Sequence, residues 1–168
     1  MPESAPMNKP YSLRVAAPQD VPAIAALVEE LALFERLEHL LKLTPEALHE
    51  HLFGPRPVIE AWVGVIDEEL VAYAICFTSY STFLGQPGLY LEDLYVRPAH
   101  RRSGLGKGML KHLAGVALAR GYGRFEWTVL DWNEDAIRFY ENMGASVLPD
   151  WRLCRAAGET LQEMAAGS

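Results

Sequence analysis

Residues Leu89 to Gly144 read LYLEDLYVRPAHRRSGLGKGMLKHLAGVALARGYGRFEWTVLDWNEDAIRFYENMG, and this stretch decides the fold. Its apolar opening, Leu89 to Val96, stops at Pro98. A glycine-rich turn follows, Arg101-Arg102-Ser103-Gly104-Leu105-Gly106-Lys107-Gly108. It opens a helix from about Gly104 to Arg120, with Leu105, Met109, Leu110, Leu113, Val116 and Ala117 at helical spacing and Gly121 at its close. Phe125 to Leu130 reads as a strand, and Glu134 to Met143 as a helix ended by Gly144. The strand–helix–strand unit predicts a parallel pair joined by a right-handed crossover.

The turn between strand and helix is built for an anion. Glycines let backbone N–H groups approach a ligand, and the helix start adds about half a positive charge. Two common phosphate motifs are excluded. A P-loop requires Gly, four residues, then Gly-Lys-Ser/Thr; here Gly106-Lys107 is followed by Gly108, and Arg101 stands where the first glycine belongs. A dinucleotide fingerprint fails as well, because Met109 or Lys111 occupies its third glycine position. What remains is Arg101-x-x-Gly104-x-Gly106.

Outward from this stretch, Met1 to Pro10 holds three prolines and no periodicity, and is expected to be a loose, disordered end. Ser12 to Ala16 alternates as a strand. Asp20 is expected to cap a helix that starts near Val21, with Pro22 in its first turn and Ile24, Leu27, Val28, Leu31 and Phe34 on one side. Thr44-Pro45-Glu46 opens a second, short helix that Gly54 ends. Val58 to Ile66 and Leu70 to Thr78 form a hairpin about Asp67-Glu68-Glu69. A last strand is expected to include Trp151 to Cys154. The order β-α-α-β-β-β-α-β-α-β implies a mixed α/β sheet with helices on both faces. No repeat or linker divides it, so residues 11–168 are expected to form a single domain.

Composition narrows the function classes. Of 168 residues, half are hydrophobic, which suits a globular chain with a real core. The net charge of −7 argues against nucleic acid and is compatible with a cationic small substrate, although on charge by itself solubility is the preferred reading. Cys76 and Cys154 lie in apolar strand-like runs and read as small core residues rather than a disulfide. No apolar run approaches the roughly 20 residues of a membrane span, and no signal pattern opens the chain. A cytoplasmic location, with no membrane partner, is the expectation. The five histidines show no metal spacing, and no metal is expected.

The ordered set of Tyr90-Leu91-Glu92-Asp93, the Arg101-x-x-Gly104-x-Gly106 turn, Asp131-Trp132-Asn133-Glu134 and Phe139-Tyr140 resembles the GNAT N-acetyltransferases, in particular the spermidine/spermine and thialysine acetyltransferase branch. The resemblance covers the chain from about Ser12 to its end and is strongest from Tyr90 to Ala145. It implies the GNAT acyl-CoA fold, a mixed and mostly antiparallel sheet whose central strands splay apart to admit acetyl-CoA. It also implies a homodimer with the C-terminal segment crossing between subunits.

The reaction so implied is acetyl transfer from a thioester to an amine. An ammonium of pKa about 10.4 has no lone pair to attack with, so a base must take its proton, and an acid near the sulfur eases departure of the thiolate. Glu92 is the candidate base. Strand alternation places it with Tyr90 and Leu94, and Asp93 with Leu91 and Tyr95. A carboxylate in so apolar a strand is expected to be partly desolvated, with a raised pKa. The plain alternative is a solvent-facing residue on an edge strand. Helical spacing makes Tyr140 a core aromatic; the resemblance makes it the general acid.

Asn133, by position a helix N-cap, is implied to contact the pantetheine arm with Ala136 and Tyr140. Leu94, Tyr95 and Val96 are implied to pair with that arm along the strand. Arg101, Arg102, Ser103, Gly104, Leu105, Gly106 and Lys107 are implied to hold the pyrophosphate, with Arg101 alternatively fixing the loop. On the acceptor side the resemblance implies Glu29, Glu30, Glu92, Asp93, Glu126, Trp132 and Asp150, and Glu35 lies in the same region.

Ser81 falls where polyamine enzymes of the branch carry an acidic residue. That departure favours a lysine-like amino acid such as thialysine, or a diamine, over a long polyamine. Polyamine acetylation, protein N-acetylation and, in a different class, a non-catalytic acetyl-CoA sensor are the competing readings.

Overall fold

The computed structural model describes residues 9–167. In chain order these form β1 (Ser12–Val15), α1 (Val21–Phe34), α2 (Pro45–Phe53), β2 (Glu60–Ile66), β3 (Glu69–Ser81), β4 (Gln86–Val96), α3 (Leu105–Ala119), β5 (Phe125–Glu126), α4 (Glu134–Asn142) and α5 (Glu159–Ala166). The chain divides into two compact units, one ending at Thr128 and one beginning at Val129. The loose end expected at residues 1–10 falls, but for Lys9 and Pro10, outside the described residues; Lys9 pairs with Asp67 at 2.7 Å.

The first unit is built on a five-stranded sheet in sequential order, β1-β2-β3-β4-β5. Every pairing is antiparallel except β4 with β5, which is parallel as the crossover through α3 requires. Alternation along β2 and β3 sends Val63, Tyr73 and Ile75 into a core shared with Ile24, Leu27 and Val28 of α1 and with Leu48 and Leu52 of α2. A second cluster joins Ile66, Val71, Ala72 and Val96 to Leu105 at the start of α3. Helices therefore flank the sheet on both faces, as its two-sided apolar strands demand.

The local signals explain most of these elements. Thr44 caps α2 by accepting the Ala47 N–H at 3.1 Å, with Pro45 at its first position. The β2–β3 turn is a two-residue connection, with Asp67 and Glu68 both at positive φ (50° and 63°), the geometry that matches strand twist in a tight hairpin.

Asp20 departs from expectation. Its carboxylate makes no capping bond to α1. Instead it accepts two bonds from Arg14, at 2.6 and 2.9 Å, and the Ala17 N–H at 2.7 Å, and it is buried. The fixed charge of Arg14 outcompetes a neutral N–H and holds the Asp20 carboxyl below its usual range against the cost of burial.

Three further expectations are corrected. The strand expected over Phe125–Leu130 is confined to Phe125–Glu126. Trp151 to Cys154 forms no strand, and Trp151, Leu153 and Cys154 are exposed, so Cys154 is not a core residue; Cys76 is fully buried. The sequence ETLQEMAA from Glu159 forms α5, a helix that the residue spacing does not predict.

Candidate active site

β4 carries the site. Its parallel partner β5 pairs only Leu89 with Phe125 and Tyr90 with Glu126. Beyond Tyr90 no strand pairs with that edge of β4 among the described residues. The Arg97 N–H bonds to the Val71 carbonyl across the β3 side. Strand alternation then directs the backbone groups of Leu94 and Val96 to the open edge. Tyr95, the remaining strand residue of the cofactor expectation, is buried in the α1 core, with its hydroxyl donating to Glu30.

A bulge sits in the same segment. Asp93 pairs with Ile75 and Leu91 with Cys76, so Glu92 has no residue opposite it. Paired residues share a face. Asp93 therefore lies with Ile75 on the α1 side and Leu91 with Cys76 on the other, the reverse of the simple alternation that put Leu91 and Asp93 together. Glu92, expected to be desolvated, is exposed, and the desolvated carboxylate is Asp93.

Burial pushes the Asp93 carboxyl up, and the neighbouring Glu92 charge adds to this. The Tyr73 hydroxyl, donating to Asp93 Oδ2 at 3.0 Å, works the other way. Tyr73 is itself fully buried, and its phenol is pushed far above the ordinary range, first by burial and then by Asp93. Glu35, the residue after α1, is raised by burial and by Asp93 in turn. Glu35 and Asp93 line one depression of about 220 Å³, whose walls are Val28, Leu31, Ala32, Leu37, Leu40 and Leu41. Two partly desolvated carboxylates in an apolar wall favour a cation between them, because an ammonium restores the ionised form of both. Neither Tyr73 nor the weight of Glu35 was visible in the sequence. The register places Tyr73 opposite Tyr95 and two pairs from Asp93, and the fold brings Glu35 to the same depression.

The other acidic candidates differ. Glu30 accepts the Tyr95 hydroxyl at 3.3 Å and Arg97 Nε at 3.2 Å, which ties α1 to β4. Glu29 and, in the second unit, Asp150 are exposed. Glu126 pairs with Arg124 at 3.7 Å. Ser81 is buried, and its hydroxyl accepts the Leu84 N–H in the β3–β4 turn. A larger depression of about 400 Å³, lined by Pro18, Val21, Pro22, Pro45, Glu46 and His49, contains none of these residues.

At the glycine-rich turn, Gly104 has φ +82°, and a side chain there would be strained. α3 begins at the next residue, and its first internal bond runs from the Gly108 N–H to the Gly104 carbonyl. The N–H groups of Gly106 and Lys107 therefore have no carbonyl within the helix. The Ser103 hydroxyl donates to the His100 carbonyl at 2.6 Å and accepts the Leu105 N–H at 3.3 Å; Leu105 itself is buried under the sheet. Arg102 and Lys107 are exposed beside this turn. Arg101 Nε donates to the Val96 carbonyl at 3.0 Å, and its guanidinium lies over the rings of Phe34 (4.8 Å) and Tyr95 (5.6 Å). Backbone donors, two basic side chains and a fifteen-residue helix behind them fit a pyrophosphate.

In the second unit, the Asn133 side chain caps α4 by accepting the Ala136 N–H at 3.3 Å. Asn133, Ala136 and Tyr140 follow at spacings of three and four, so they share one face of that helix. Tyr140 is partly buried, with Phe139 beside it at 5.6 Å, and Trp132 is exposed.

This fold and turn define an acyl-CoA N-acyltransferase architecture, and comparison with known proteins agrees. The chain belongs to the acetyltransferase (GNAT) family, whose pattern matches residues 24–145. It is 34% identical to the L-ornithine N5-acetyltransferase of Arabidopsis thaliana, over 96% of this chain and 92% of that one. It is 36% identical to the thialysine N-epsilon-acetyltransferase of Mus musculus, over 91% and 96%. Among solved structures, an integron cassette protein from the mobile metagenome of V. cholerae superposes with a TM-score of 0.78 at 20% identity, covering 94% of this chain and 98% of that one; this likeness speaks for the fold. Acetyl-CoA is the cosubstrate that the fold implies.

Proposed function

We propose that this protein acetylates a terminal primary amine of a small cationic acceptor, a lysine- or ornithine-like amino acid or a short diamine. The observation that carries this reading is the Glu35–Asp93 pair in an apolar depression of about 220 Å³. Two carboxylates suit one distal ammonium group. A long polyamine needs a longer acidic track, and at the β3–β4 turn the side chain is the buried Ser81. The named activities of the relatives, on ornithine and thialysine, are of this class.

In this reading acetyl-CoA supplies the activated acetyl group. The loop from Arg101 to Lys107 holds its pyrophosphate, and the backbone of Leu94 and Val96 lines the pantetheine arm. Asp93 and Glu35 fix the acceptor. Glu92, on the bulge and open to solvent, takes the proton from the reacting ammonium, directly or through water. The amine nitrogen then bonds to the thioester carbon, the carbon–sulfur bond breaks as the Tyr140 hydroxyl gives its proton to the sulfur, and the second proton that nitrogen sheds restores the tyrosine through water. Residues 11–168 act as one functional domain, since the family match crosses the division at Thr128. The exposed Val147, Leu148, Trp151 and Leu153 support a homodimer in which a partner covers them. A cytoplasmic site of action is supported by two free cysteines, and among the described residues no helix is long and apolar enough to cross a membrane.

Thiol release from acetyl-CoA, measured with thialysine, ornithine, lysine, short diamines, spermidine, spermine and a peptide with a free N-terminus, tests the reading. Preference for the short acceptors is expected. Preference for spermine or the peptide, or tight acetyl-CoA binding with no turnover, sinks it.

A further inference from the structure

We propose that Tyr73 is a positioning residue for the acceptor: its buried hydroxyl holds Asp93 Oδ2 so that the carboxylate faces the depression as the anion an ammonium group meets. This rests on the acceptor reading above.

Tyr73 is wholly enclosed in β3, in a cluster with Ile24, Leu27, Val63 and Tyr95. Apolar packing alone asks for phenylalanine at such a place. A phenol there carries a hydroxyl that must find a partner, and Asp93 at 3.0 Å is that partner. The bond crosses from β3 to β4 just beside the bulge.

The charges around Asp93 make the donor matter. Glu35 approaches from the end of α1, and Glu92 is the next residue on β4. Tyr95, opposite Tyr73, is occupied by Glu30 and faces Arg101. Burial and the Glu92 charge oppose ionisation of Asp93, and the Tyr73 hydroxyl favours it. Without that hydroxyl the carboxylate protonates more readily and loses its fixed orientation. The acceptor then meets a neutral acid over a wider pH range.

The test compares wild type, Tyr73→Phe, Asp93→Asn and the double variant. In Tyr73→Phe the amine KM is expected to rise about ten- to hundredfold at the acid end of the active range, from loss of a bond to a charged acceptor. The rise should shrink as pH increases, while the KM for acetyl-CoA stays unchanged. In the Asp93→Asn background, Tyr73→Phe should add nothing. A carboxyl carbon NMR titration of the free protein gives a readout apart from activity, and the Asp93 midpoint should move up in Tyr73→Phe. A KM effect equal at every pH, an effect that persists without Asp93, or an unmoved midpoint overturns the positioning role alone. Wild-type enzyme that turns over none of the small amines overturns the acceptor reading, and this role with it.

Discussion

Glu92 and Asp93 are chain neighbours with opposite surroundings, because the bulge in β4 leaves Glu92 unpaired and exposed while Asp93 turns into the α1 face beside Tyr73. In the proposed reading the two carboxylates have separate tasks: one in contact with water for proton traffic, one withdrawn from water to hold a charge. The bulge achieves this with a single extra residue.

Asp93 should be a cost to stability at neutral pH. Its carboxyl is raised in the folded protein, so the folded state holds the proton more tightly than the unfolded chain does. The associated stability is present below about pH 3.9, the unfolded value, and is lost as pH rises through the folded value. Asp93→Asn should therefore raise Tm at pH 7 by a few degrees and have little effect near pH 3, while raising the amine KM. Calorimetry at both pH values checks this; a lower Tm at pH 7 contradicts it.

Asp20 should behave in the opposite sense. The Arg14 guanidinium holds its carboxyl low, so its contribution is present above about pH 3.9 and is lost as pH falls through the folded value. Asp20→Asn should cost about 2 kcal/mol at pH 7, by loss of charge-assisted bonds to a buried group. Urea melts at pH 7 and at pH 3 should show the difference shrink at the lower pH.

Tyr140→Phe should lower kcat by roughly ten- to ten-thousand-fold, the range of general acid–base contributions, with acetyl-CoA affinity little changed. An unaltered kcat in this variant returns Tyr140 to packing. Glu92→Gln should lower kcat most at neutral pH and recover as the amine deprotonates on its own; a wild-type pH profile removes Glu92 from the mechanism.

The β2–β3 turn offers a test of backbone strain. Glu68 has φ +63°, which glycine adopts without strain and glutamate does not. Glu68→Gly should stabilise the protein by up to about 1 kcal/mol, the strain relieved outweighing the added freedom of the unfolded chain. Chemical denaturation of the variant measures it.

Much of this architecture is legible in residue spacing. α1, α2, α3 and α4, the β2–β3 hairpin and the approach of β4 to the turn all follow from apolar periods and from Pro, Thr and Gly at the ends. The bulge does not, since one unpaired residue leaves the composition of LYLEDLYV unchanged while moving Asp93 to the other side of Leu91. Nor does Trp151–Cys154: an apolar run becomes a strand only where a neighbour offers an edge. Asp20 shows a local rule overridden by a charge, because Arg14 comes from another element. α5 was readable, for Glu, Leu, Gln, Met and Ala are good helix formers, but its short run has no apolar stripe long enough to stand out.

The early departure of β5 from β4 also has a bearing on solubility. A strand edge without a partner is a template on which a second chain can extend the sheet, and such edges seed aggregation. Here the unpaired length carries the bulge and its exposed, acidic Glu92. Charge and irregularity are what natural sheets use to refuse an unwanted neighbour. The residue proposed to take the proton thus also guards the edge, and neutralising Glu92 removes a safeguard against self-association along with the chemistry.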